Sequence, residues 1–408
     1  MAIEIRPATE EEMGQFGLMG SYSYAGAFGD GPDNVVATAN RAEWTLCAFD
    51  KEVMACAFAA IPFTMRANGN AMAFAGVTGV GTLPEYRRQG LLRKIMTQSF
   101  AAMRDAGQSV SGLWASQAAI YQRYGYAMLG LNRRYAIDTV DIQFFDGHDG
   151  GQTMRRFTLS DDEARDVRDQ VKATYREFIA ERMCYLHRSS ALWQNSYFSE
   201  DGEGPVYVAI AFEGDRPRGY VIYTFRSGQN EHPARSQGMK IRDLVWLDGD
   251  AYRSLWSFVA RHDLVGRVEW PNAPADDPAT ELMVEPRMLN TAEGEGSWFR
   301  VVDISAALTE RGYFGAGDVN IAISGDTLAD WNNGTWQLTA HPEGAAVVST
   351  KAAADATMDI KALSALFTGH RSAQALANYG LLEGDREAIS TLDRIFAAKH
   401  APHCPDHY

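Results

Sequence analysis

The sequence predicts a mixed α/β (α+β) protein built from three consecutive segments. Over residues 1–135, strand and helix patterns alternate in the order β-α-β-β-β-α-β-α-β. The same order recurs more faintly over residues 136–295, and residues 296–408 combine short strands with alanine-rich helices. Because 408 residues accommodate two or three domains of ~150 residues, we expect each segment to be one domain.

The first segment begins with a short strand at residues 3–5, followed by Thr9 and Glu12 at the spacing of a capping box that opens a helix. Asn68-Gly69 is a strong β-hairpin signal. The remaining elements are predicted as strands at residues 44–49, 53–65, 72–82 and 109–114, helices at 88–104 and 118–123, and a final strand.

The loop between the 72–82 strand and the following helix carries Arg87, Arg88 and Gly90. A helix N-terminus offers unpaired N–H groups and the positive end of a dipole, so it binds phosphate well. Gly90 allows close backbone approach, and the two guanidinium groups can bind a pyrophosphate. The alternative interpretation is a surface turn with two solvated arginines.

The middle segment has predicted strands at residues 206–212, 219–225 and 241–246, a break at 228–230, and a helix at 252–262. Its loop at the corresponding position, residues 247–250, contains two aspartates and no arginine. Such a loop repels phosphate, so the segment is interpreted as a degenerate second copy without a cofactor loop. The proline-rich residues 271–278 are predicted to be loop.

The last segment begins near Trp298. Its predicted strands are residues 319–324 and 335–339, and its predicted helices are residues 360–368, 371–379 and 386–398.

Tyr121 is the candidate general acid for acyl transfer. Transfer from a thioester to an amine requires stabilisation of the oxyanion and protonation of the leaving thiolate. An unperturbed tyrosine has a pKa of ~10, near that of an alkyl thiol, so it can donate this proton. The alternative is that Tyr121 is simply a buried aromatic residue, as we expect for Tyr124 and Tyr126.

These motifs resemble the GNAT superfamily of N-acetyltransferases. Arg87-x-x-Gly90-x-Leu92 is similar to its pyrophosphate loop, Gln/Arg-x-x-Gly-x-Gly/Ala, and departs from it at Leu92. The segment Tyr121-Gln-Arg-Tyr-Gly-Tyr126 resembles its general-acid turn. The Arg-Arg-x-Gly-Leu-Leu loop, the degenerate second copy, the phrases at 251–256 and 298–304 and the aromatic C-terminus together resemble the enhanced-intracellular-survival (Eis) family, across essentially all 408 residues.

This resemblance implies an acetyl-CoA-binding GNAT domain at 1–135, a degenerate GNAT-like domain at 136–295, and a sterol-carrier-protein-like domain at 296–408 that ends at the active site. It implies an N-acetyltransferase that acts on a primary amine of a small cationic substrate, aminoglycoside- or polyamine-like. Tyr121 would be the general acid and the α-carboxylate of Tyr408 the base. Backbone at Val80 and Thr82 would hold pantetheine where the fourth and fifth strands splay apart, and Ser116 would edge the acetyl site. The remaining implied acetyl-CoA residues are Arg87, Arg88, Gly90, Leu91 and Leu92.

Charge and composition narrow the class of protein. The net charge of −14 divides into +1 over residues 1–135, −10 over 136–295 and −5 over 296–408. The near-neutral first segment suits a polyanionic ligand, whereas the acidic remainder argues against nucleic acid and would attract a cationic substrate. Four scattered cysteines, no long apolar run and no basic-apolar leader predict a cytoplasmic protein without a membrane span.

Three alternatives remain open at this stage. The tail cluster of His400, His403, Cys404, Asp406 and His407 matches no standard metal spacing, so no metal is predicted. The apolar positions of the last segment could instead line a lipid or sterol cavity. The acceptor could also be a protein lysine. Residues 16–33 are the candidate substrate-binding stretch, without assigned acids, and family resemblance implies a homo-oligomer, commonly a hexamer.

Overall fold

A computed structural model of the chain describes residues 3–26, 29, 31, 35–159, 164–200, 204–228 and 234–408. The chain forms two compact units. The first unit comprises Met1–Leu129, Ser297–Lys399 and Tyr408, and the second comprises Gly130–Gly296 and His400–His407. The domain boundaries predicted after residues 135 and 295 stay predictions.

The described strands, in chain order, are β1 (Glu4–Arg6), β2 (Cys47–Asp50), β3 (Val53–Ala67), β4 (Asn70–Thr82), β5 (Val110–Leu113), β6 (Ala127–Met128), β7 (Leu131–Asp138), β8 (Thr153–Thr158), β9 (Met183–Leu186), β10 (Tyr207–Glu213), β11 (Arg216–Arg226), β12 (Gln237–Trp246), β13 (Val265–Pro274), β14 (Ala292–Glu295), β15 (Trp298–Val301), β16 (Gly317–Ile323), β17 (Gly334–His341), β18 (Gly344–Thr350), β19 (Ala356–Met358) and β20 (Leu382–Gly384).

The described α-helices are α1 (Met13–Ser23), α2 (Val35–Ala39), α3 (Leu91–Asp105), α4 (Ala118–Gln122), α5 (Arg165–Phe178), α6 (Ser190–Trp193), α7 (Gly249–Ala260), α8 (Ala279–Leu282), α9 (Ile304–Glu310), α10 (Ile360–Phe367), α11 (Ala373–Asn378) and α12 (Arg386–Phe396). Within the described ranges, no helix has the length and apolar character needed to span a membrane.

The main sheet of the first unit has the strand order β1-β2-β3-β4-β5-β15-β6. Strands β1 to β4 pair antiparallel, whereas β5 pairs parallel to β4 after the crossover through α3. Strand β15, which the sequence assigned to the start of the last segment, lies between β5 and β6. All four of its residues are buried, as expected for a strand with neighbours on both sides.

Two turn predictions in the first unit are confirmed. Asn68 and Gly69 have φ values of 51° and 97° and join β3 to β4 at the pair Ala67 and Asn70. The Thr9–Glu12 capping box is present and precedes α1. Helix α3 begins at Leu91, later than the predicted residue 88, because Arg88 and Gly90 before it have left-handed backbone conformations.

The second unit repeats this topology. Its sheet has the order β14-β7-β13-β12-β11-β10-β8, and β12 pairs parallel to β13 after the crossover through α7. The prediction of loop over 271–278 is wrong for its first half, because Pro271 to Pro274 belong to β13. A register shift between Trp270 and Ala273 accommodates Pro271 within the strand.

The last part of the first unit contains a smaller sheet of order β18-β17-β16-β19-β20. Helices α10 to α12 accompany this sheet, and α10 is buried along nearly its whole length. Asp359, Ser372 and Asp385 each cap the N-terminus of one of these helices with a side-chain oxygen. The predicted mixed αβ character of this segment is therefore confirmed.

Candidate active site

The candidate site of the first unit lies where β4 and β5 separate. The two strands pair only from Phe74 and Val110 to Val77 and Leu113, although β4 continues to Thr82. A cavity of about 650 Å³ lies beside the unpaired end of β4. Separated parallel strands leave backbone N–H and C=O groups that a ligand can pair with.

A β-bulge interrupts β4 beside this cavity. Ala57 pairs with Gly81 and Ala59 with Thr78, so β4 has one extra residue at this point. Gly79 lies in the bulge with a φ of 60°, and a Cβ there would meet the Phe16 ring at 2.6 Å. Glycine is therefore required at position 79, both for its backbone conformation and for the space beside Phe16. A glycine within a predicted strand often marks a bulge, and this signal was not used in the sequence-based prediction.

The loop before α3 exposes the helix N-terminus. Arg88 and Gly90 are both left-handed, with φ values of 63° and 76°. Gly90 is the N-cap and supplies no side-chain cap, and the first α-helical bond runs from the Lys94 N–H to the Gly90 carbonyl. The N–H groups of the first turn are thus open to a ligand, and left-handed loop residues of this kind form anion-binding nests.

Arg87 and Arg88 flank this N-terminus with exposed guanidinium groups. The Arg87 Nε donates a hydrogen bond to the Thr82 carbonyl at 3.0 Å, which ties the loop to the end of β4. Leu91 is buried in the core of the first unit, so its side chain packs and only its backbone is available to a ligand. Leu92 packs against the same core while it lines the cavity.

Tyr121 lies on α4 at the wall of the cavity and is 3% exposed. Burial raises its pKa above the ordinary value, with smaller contributions from Tyr24, Tyr126 and Tyr124. The expected match between the Tyr121 pKa and that of a thiol is therefore not found in the free protein. The phenol stays protonated over the physiological pH range, as a hydrogen-bond donor to a developing thiolate must.

Ser116 and Tyr24 form another part of the wall. Their hydroxyl groups are hydrogen-bonded, and this bond partly offsets the burial that raises the pKa of Tyr24. Tyr24 directly follows α1 and lies in the 16–33 stretch, in which sequence reasoning assigned no individual residue a role. Within that stretch, residues 27–28, 30 and 32–33 lie outside the described residues.

The structure brings nine of the ten sequence-predicted site residues to this one cavity. They are Val80, Thr82, Arg87, Arg88, Gly90, Leu91, Leu92, Ser116 and Tyr121. Sequence reasoning missed Arg93, Arg123 and Tyr24, which also line it, and treated Tyr124 only as a packing residue. Among the described lining residues, the charged side chains are four arginines, with no aspartate or glutamate.

Tyr408, the tenth predicted residue, is not among the lining residues of this cavity. Its ring packs against Phe63 of β3 and Phe74 of β4, with ring centroids 5.1 and 6.1 Å away. A Cβ at Gly76 would lie 2.8 Å from the Tyr408 ring, so this glycine leaves room for it. Tyr408 thus contacts β4 upstream of the bulge, on the strand whose later residues line the cavity.

The preceding tail residues, His400–His407, belong to the second unit. Asp406 is fully buried and accepts hydrogen bonds from the Arg188 Nε at 2.7 Å and the Tyr197 hydroxyl at 2.6 Å. Arg188 also pairs with Asp243 at 2.5 Å. The His403 N–H donates to the Met183 carbonyl at 3.1 Å, and burial lowers the pKa of His403 to about 4.

Two histidines of the tail, His400 and His403, contact oxygen atoms of other residues of the chain. The imidazole of His403 is within hydrogen-bond distance of the Asn272 carbonyl, and His400 contacts the Asp276 carboxylate. Among the described residues, no group of three His, Cys, Asp or Glu side chains lies close enough together to hold a metal. That the protein needs no metal stays a prediction.

The second unit has filled the cleft that corresponds to the cavity. Pairing of β12 with β13 stops at Lys240 and Glu269, and the pocket described beyond that point has a volume of about 10 Å³. The remaining space is lined by Trp246, Trp270, His403 and Pro405 with their neighbours. Aromatic rings and the tail therefore fill the second cleft.

The loop of the second unit is closed as well. Asp248 caps α7 by accepting the Ala251 N–H at 2.8 Å, and it binds the Arg218 guanidinium. The acidic loop therefore satisfies its own helix N-terminus, which supports the interpretation of a degenerate copy.

Comparison with known proteins agrees with this architecture. Models of acetyltransferase (GNAT) domains match residues 4–129 and 184–301, and a sterol carrier protein domain model matches residues 304–405. A crystal structure of a GCN5-related N-acetyltransferase from Anabaena variabilis superposes with a TM-score of 0.86 at 23% identity, covering 100% of both chains.

Two relatives carry the resemblance at the sequence level. An uncharacterized N-acetyltransferase from Streptomyces avermitilis is 27% identical over 362 residues, 86% of each chain. The N-acetyltransferase Eis from Mycobacterium tuberculosis is 27% identical over 332 residues, 79% of this chain and 78% of its own. The chain is therefore an N-acetyltransferase with tandem GNAT domains and a C-terminal sterol carrier protein domain, and its sequence is similar to that of the Eis enzyme over 79% of its length.

Proposed function

We propose that this enzyme transfers acetyl from acetyl-CoA to a primary amine of a small cationic substrate by direct attack. The observation that carries the proposal is the 650 Å³ cavity, which combines an unpaired strand end, an open helix N-terminus and a buried tyrosine. The unpaired strand suits the amides of a pantetheine arm. The helix N-terminus suits a pyrophosphate.

The cofactor-binding roles follow from chemistry. Arg87 and Arg88 bind the pyrophosphate by charge-assisted hydrogen bonds, together with the N–H groups that follow Gly90. Those N–H groups belong to Leu91 and Leu92, so their roles are backbone roles. Val80 and Thr82 pair with pantetheine, and the bulge beside Val80 supplies a donor for the thioester carbonyl oxygen.

In the chemical step the amine nitrogen forms a bond to the thioester carbonyl carbon, and an oxyanion develops. Collapse of this intermediate breaks the carbon–sulfur bond and expels the CoA thiolate, while the nitrogen loses one proton to a base. Tyr121 donates a hydrogen bond to the sulfur as its charge develops and supplies the proton that yields the free thiol. Ser116, which is hydrogen-bonded to Tyr24, lies at the edge of the acetyl-binding site in this proposal.

The base in this proposal is the α-carboxylate of Tyr408. Support comes from the packing of Tyr408 on β3 and β4, which fixes the chain end against the site-bearing strand. A C-terminal extension moves the carboxylate away, so a tagged chain should lose most of its turnover while it still binds acetyl-CoA. Full turnover of the tagged chain would remove the terminal carboxylate from the mechanism.

The acceptor class rests on the net charge of −14, which attracts cations. We further propose a cytoplasmic homo-oligomer, a hexamer by family resemblance, that does not bind nucleic acid or membranes. A protein-lysine acceptor and a lipid-binding role of the last domain are the competing proposals.

Release of CoA thiol from acetyl-CoA, measured against a panel of polyamines, aminoglycosides, lysine peptides and neutral amines, tests reaction and acceptor together. Turnover with the polycationic small amines supports the proposal. Turnover restricted to lysine peptides would replace the acceptor class. Copurified lipid without acetyl-CoA binding would favour the lipid-binding alternative.

A further inference from the structure

The cavity of the first unit carries more positive charge than a pyrophosphate requires. Arg87 and Arg88 lie at the open helix N-terminus, but Arg93 and Arg123 line the cavity as well. A pyrophosphate diester carries about two negative charges, which the first two arginines and the helix dipole already balance.

Arg93 and Arg123 form one cluster around Tyr124. The Arg123 guanidinium lies 5.9 Å from the centre of the Tyr124 ring. Both arginines are close enough to the Tyr124 hydroxyl to lower its pKa, although burial of that hydroxyl is the larger effect and raises it. We define this phosphate-side cluster as Arg93, Arg123 and Tyr124.

The two cluster arginines are exposed and have no acidic partner among the described residues, although the chain has a net charge of −14. Arg93 is held by a neutral group instead, since its Nη2 donates to the Thr327 hydroxyl at 2.8 Å. By contrast, Arg104 on the same helix pairs with Asp303 at 2.7 Å. Uncompensated guanidinium groups on one cavity wall indicate an anionic ligand.

The position of the cluster indicates which anionic group of the ligand it contacts. Arg93 lies in the first turn of α3, immediately after the N-terminus that takes the pyrophosphate, while Arg123 ends α4 two residues after Tyr121. In coenzyme A the ribose that carries the pyrophosphate also carries a 3′-phosphate monoester, with a charge of about −1.5 to −2 near neutral pH. A second anionic group must therefore lie close to the first.

We propose that Arg93 and Arg123, beside Tyr124, form a subsite for a phosphate monoester, the 3′-phosphate of coenzyme A. The subsite makes the enzyme selective for coenzyme A over its 3′-dephospho form. This inference rests on the proposed acetyl-CoA site. It adds two arginines and a specificity that the pyrophosphate loop does not provide.

The test is calorimetric binding of CoA and of 3′-dephospho-CoA to the full chain without an acceptor amine. We expect wild type to bind CoA about 10-fold or more tightly than the dephospho form. R93Q and R123Q each reduce that ratio, and the double variant reduces it to about 2-fold or less, mainly by weakening CoA. R93K with R123K keeps the charges and retains part of the ratio.

Two controls separate the possible outcomes. R104Q lies on the same helix outside the cavity and should leave both affinities unchanged. R88Q should weaken both cofactors alike and leave their ratio intact. A wild-type ratio near one, or a double variant that keeps the wild-type ratio, overturns the inference while the acetyl-CoA site stands. If neither cofactor binds wild type, the proposed function itself fails.

Discussion

The turns that lead into α3 and α7 occupy the same place in two copies of one fold, yet they differ in chemistry. Before α3, Gly90 leaves the helix N-terminus uncapped between exposed arginines. Before α7, the Asp248 carboxylate caps the helix and binds Arg218. Each turn joins a strand to the helix of a parallel crossover, so the two turns share the same backbone topology. The side chains therefore determine whether the helix N-terminus is open to a ligand.

The clefts beyond these turns differ in the same way. The first unit keeps a cavity of about 650 Å³, whereas the corresponding cleft of the second is lined by aromatic rings such as Trp246 and Trp270, whose centroids lie 6.4 Å apart. A cavity lined by uncompensated charge costs stability, and a filled cleft contributes to it. Changes in the second unit should therefore alter stability, and changes in the first should alter chemistry.

The largest expected effect is on the stability of the second unit. R188M removes the partner of two buried carboxylates, Asp243 and Asp406. We expect the free energy of unfolding to fall by about 3–5 kcal/mol, because an unpaired buried charge remains. Chemical denaturation measures this change. R261M removes an exposed pair with Asp149 and should cost less than ~1 kcal/mol; equal losses in the two variants would contradict a structural role for the buried network.

Y121F should produce the largest effect on chemistry. Removing the phenol hydroxyl deletes the proposed acid, so kcat should fall by about 100-fold or more while acetyl-CoA affinity stays within 2-fold. Steady-state kinetics and calorimetry measure these quantities. Y126F removes a neighbouring buried hydroxyl, which is bonded to Ser111 at 2.8 Å, and should leave kcat unchanged. Comparable turnover in the two variants would rule out Tyr121 as the acid.

A pH-dependent change is expected in the second unit at Asp277. Burial raises the pKa of this carboxyl to about 6, above an unfolded value near 3.9. The neutral form therefore stabilises the fold fully below pH ~4, and this stability is lost as the pH rises through about 6. Relative to D277N, wild type should lose about 2 kcal/mol of unfolding free energy between pH 4 and 7.

Denaturant titrations of wild type and D277N at several pH values check this prediction. Asparagine keeps the acceptor for the Tyr252 hydroxyl and the Ala279 N–H, so the variant should fold. D149N, at an exposed carboxylate, is the matched control, and its unfolding free energy should have the same pH dependence as that of wild type. A constant difference between D277N and wild type across this range would exclude Asp277 as the titrating group.

The smallest expected effect concerns the cap of α7. D248A removes the side-chain acceptor of the Ala251 N–H and the partner of Arg218, so the unfolding free energy should fall by about 1 kcal/mol. Acetyl-CoA turnover should be unchanged. D250A alters the other acid of the same loop, whose described contact is an exposed pair with His148, and should cost less. A change in turnover in D248A would mean that the second loop serves the chemistry.

Much of the site was predictable because its residues fall in two short stretches of sequence, 80–92 and 116–121. Three of the signals are local: the Asn68-Gly69 hairpin pair, the helical spacing after Gly90 and the Tyr121 turn. Local signals can be recognised from neighbouring residues alone, without knowledge of the tertiary structure. Nine predicted residues line one cavity for this reason. Arg93 and Arg123 were missed because a solvated arginine and a ligand-facing arginine look alike in sequence.

Strand membership was less predictable. Strand β15 follows the second copy in the chain but pairs with β5 and β6 of the first unit. Pro271 was assigned to a loop, although a bulge accommodates it within β13. Both features depend on long-range pairing partners, which no window of neighbouring residues contains.

The sequence by itself determined the class of protein, its repeated α/β order, the arginine- and glycine-bearing loop before α3 and the acidic loop at the same place in the second copy. These properties depend on residue types at short spacing. Only the tertiary structure decided that Tyr121 is buried with a raised pKa, that aromatic side chains line the second cleft, and that Asp406 belongs to a buried network of ion pairs. Burial and charge compensation arise between residues far apart in the chain, and they exist only once the chain has folded.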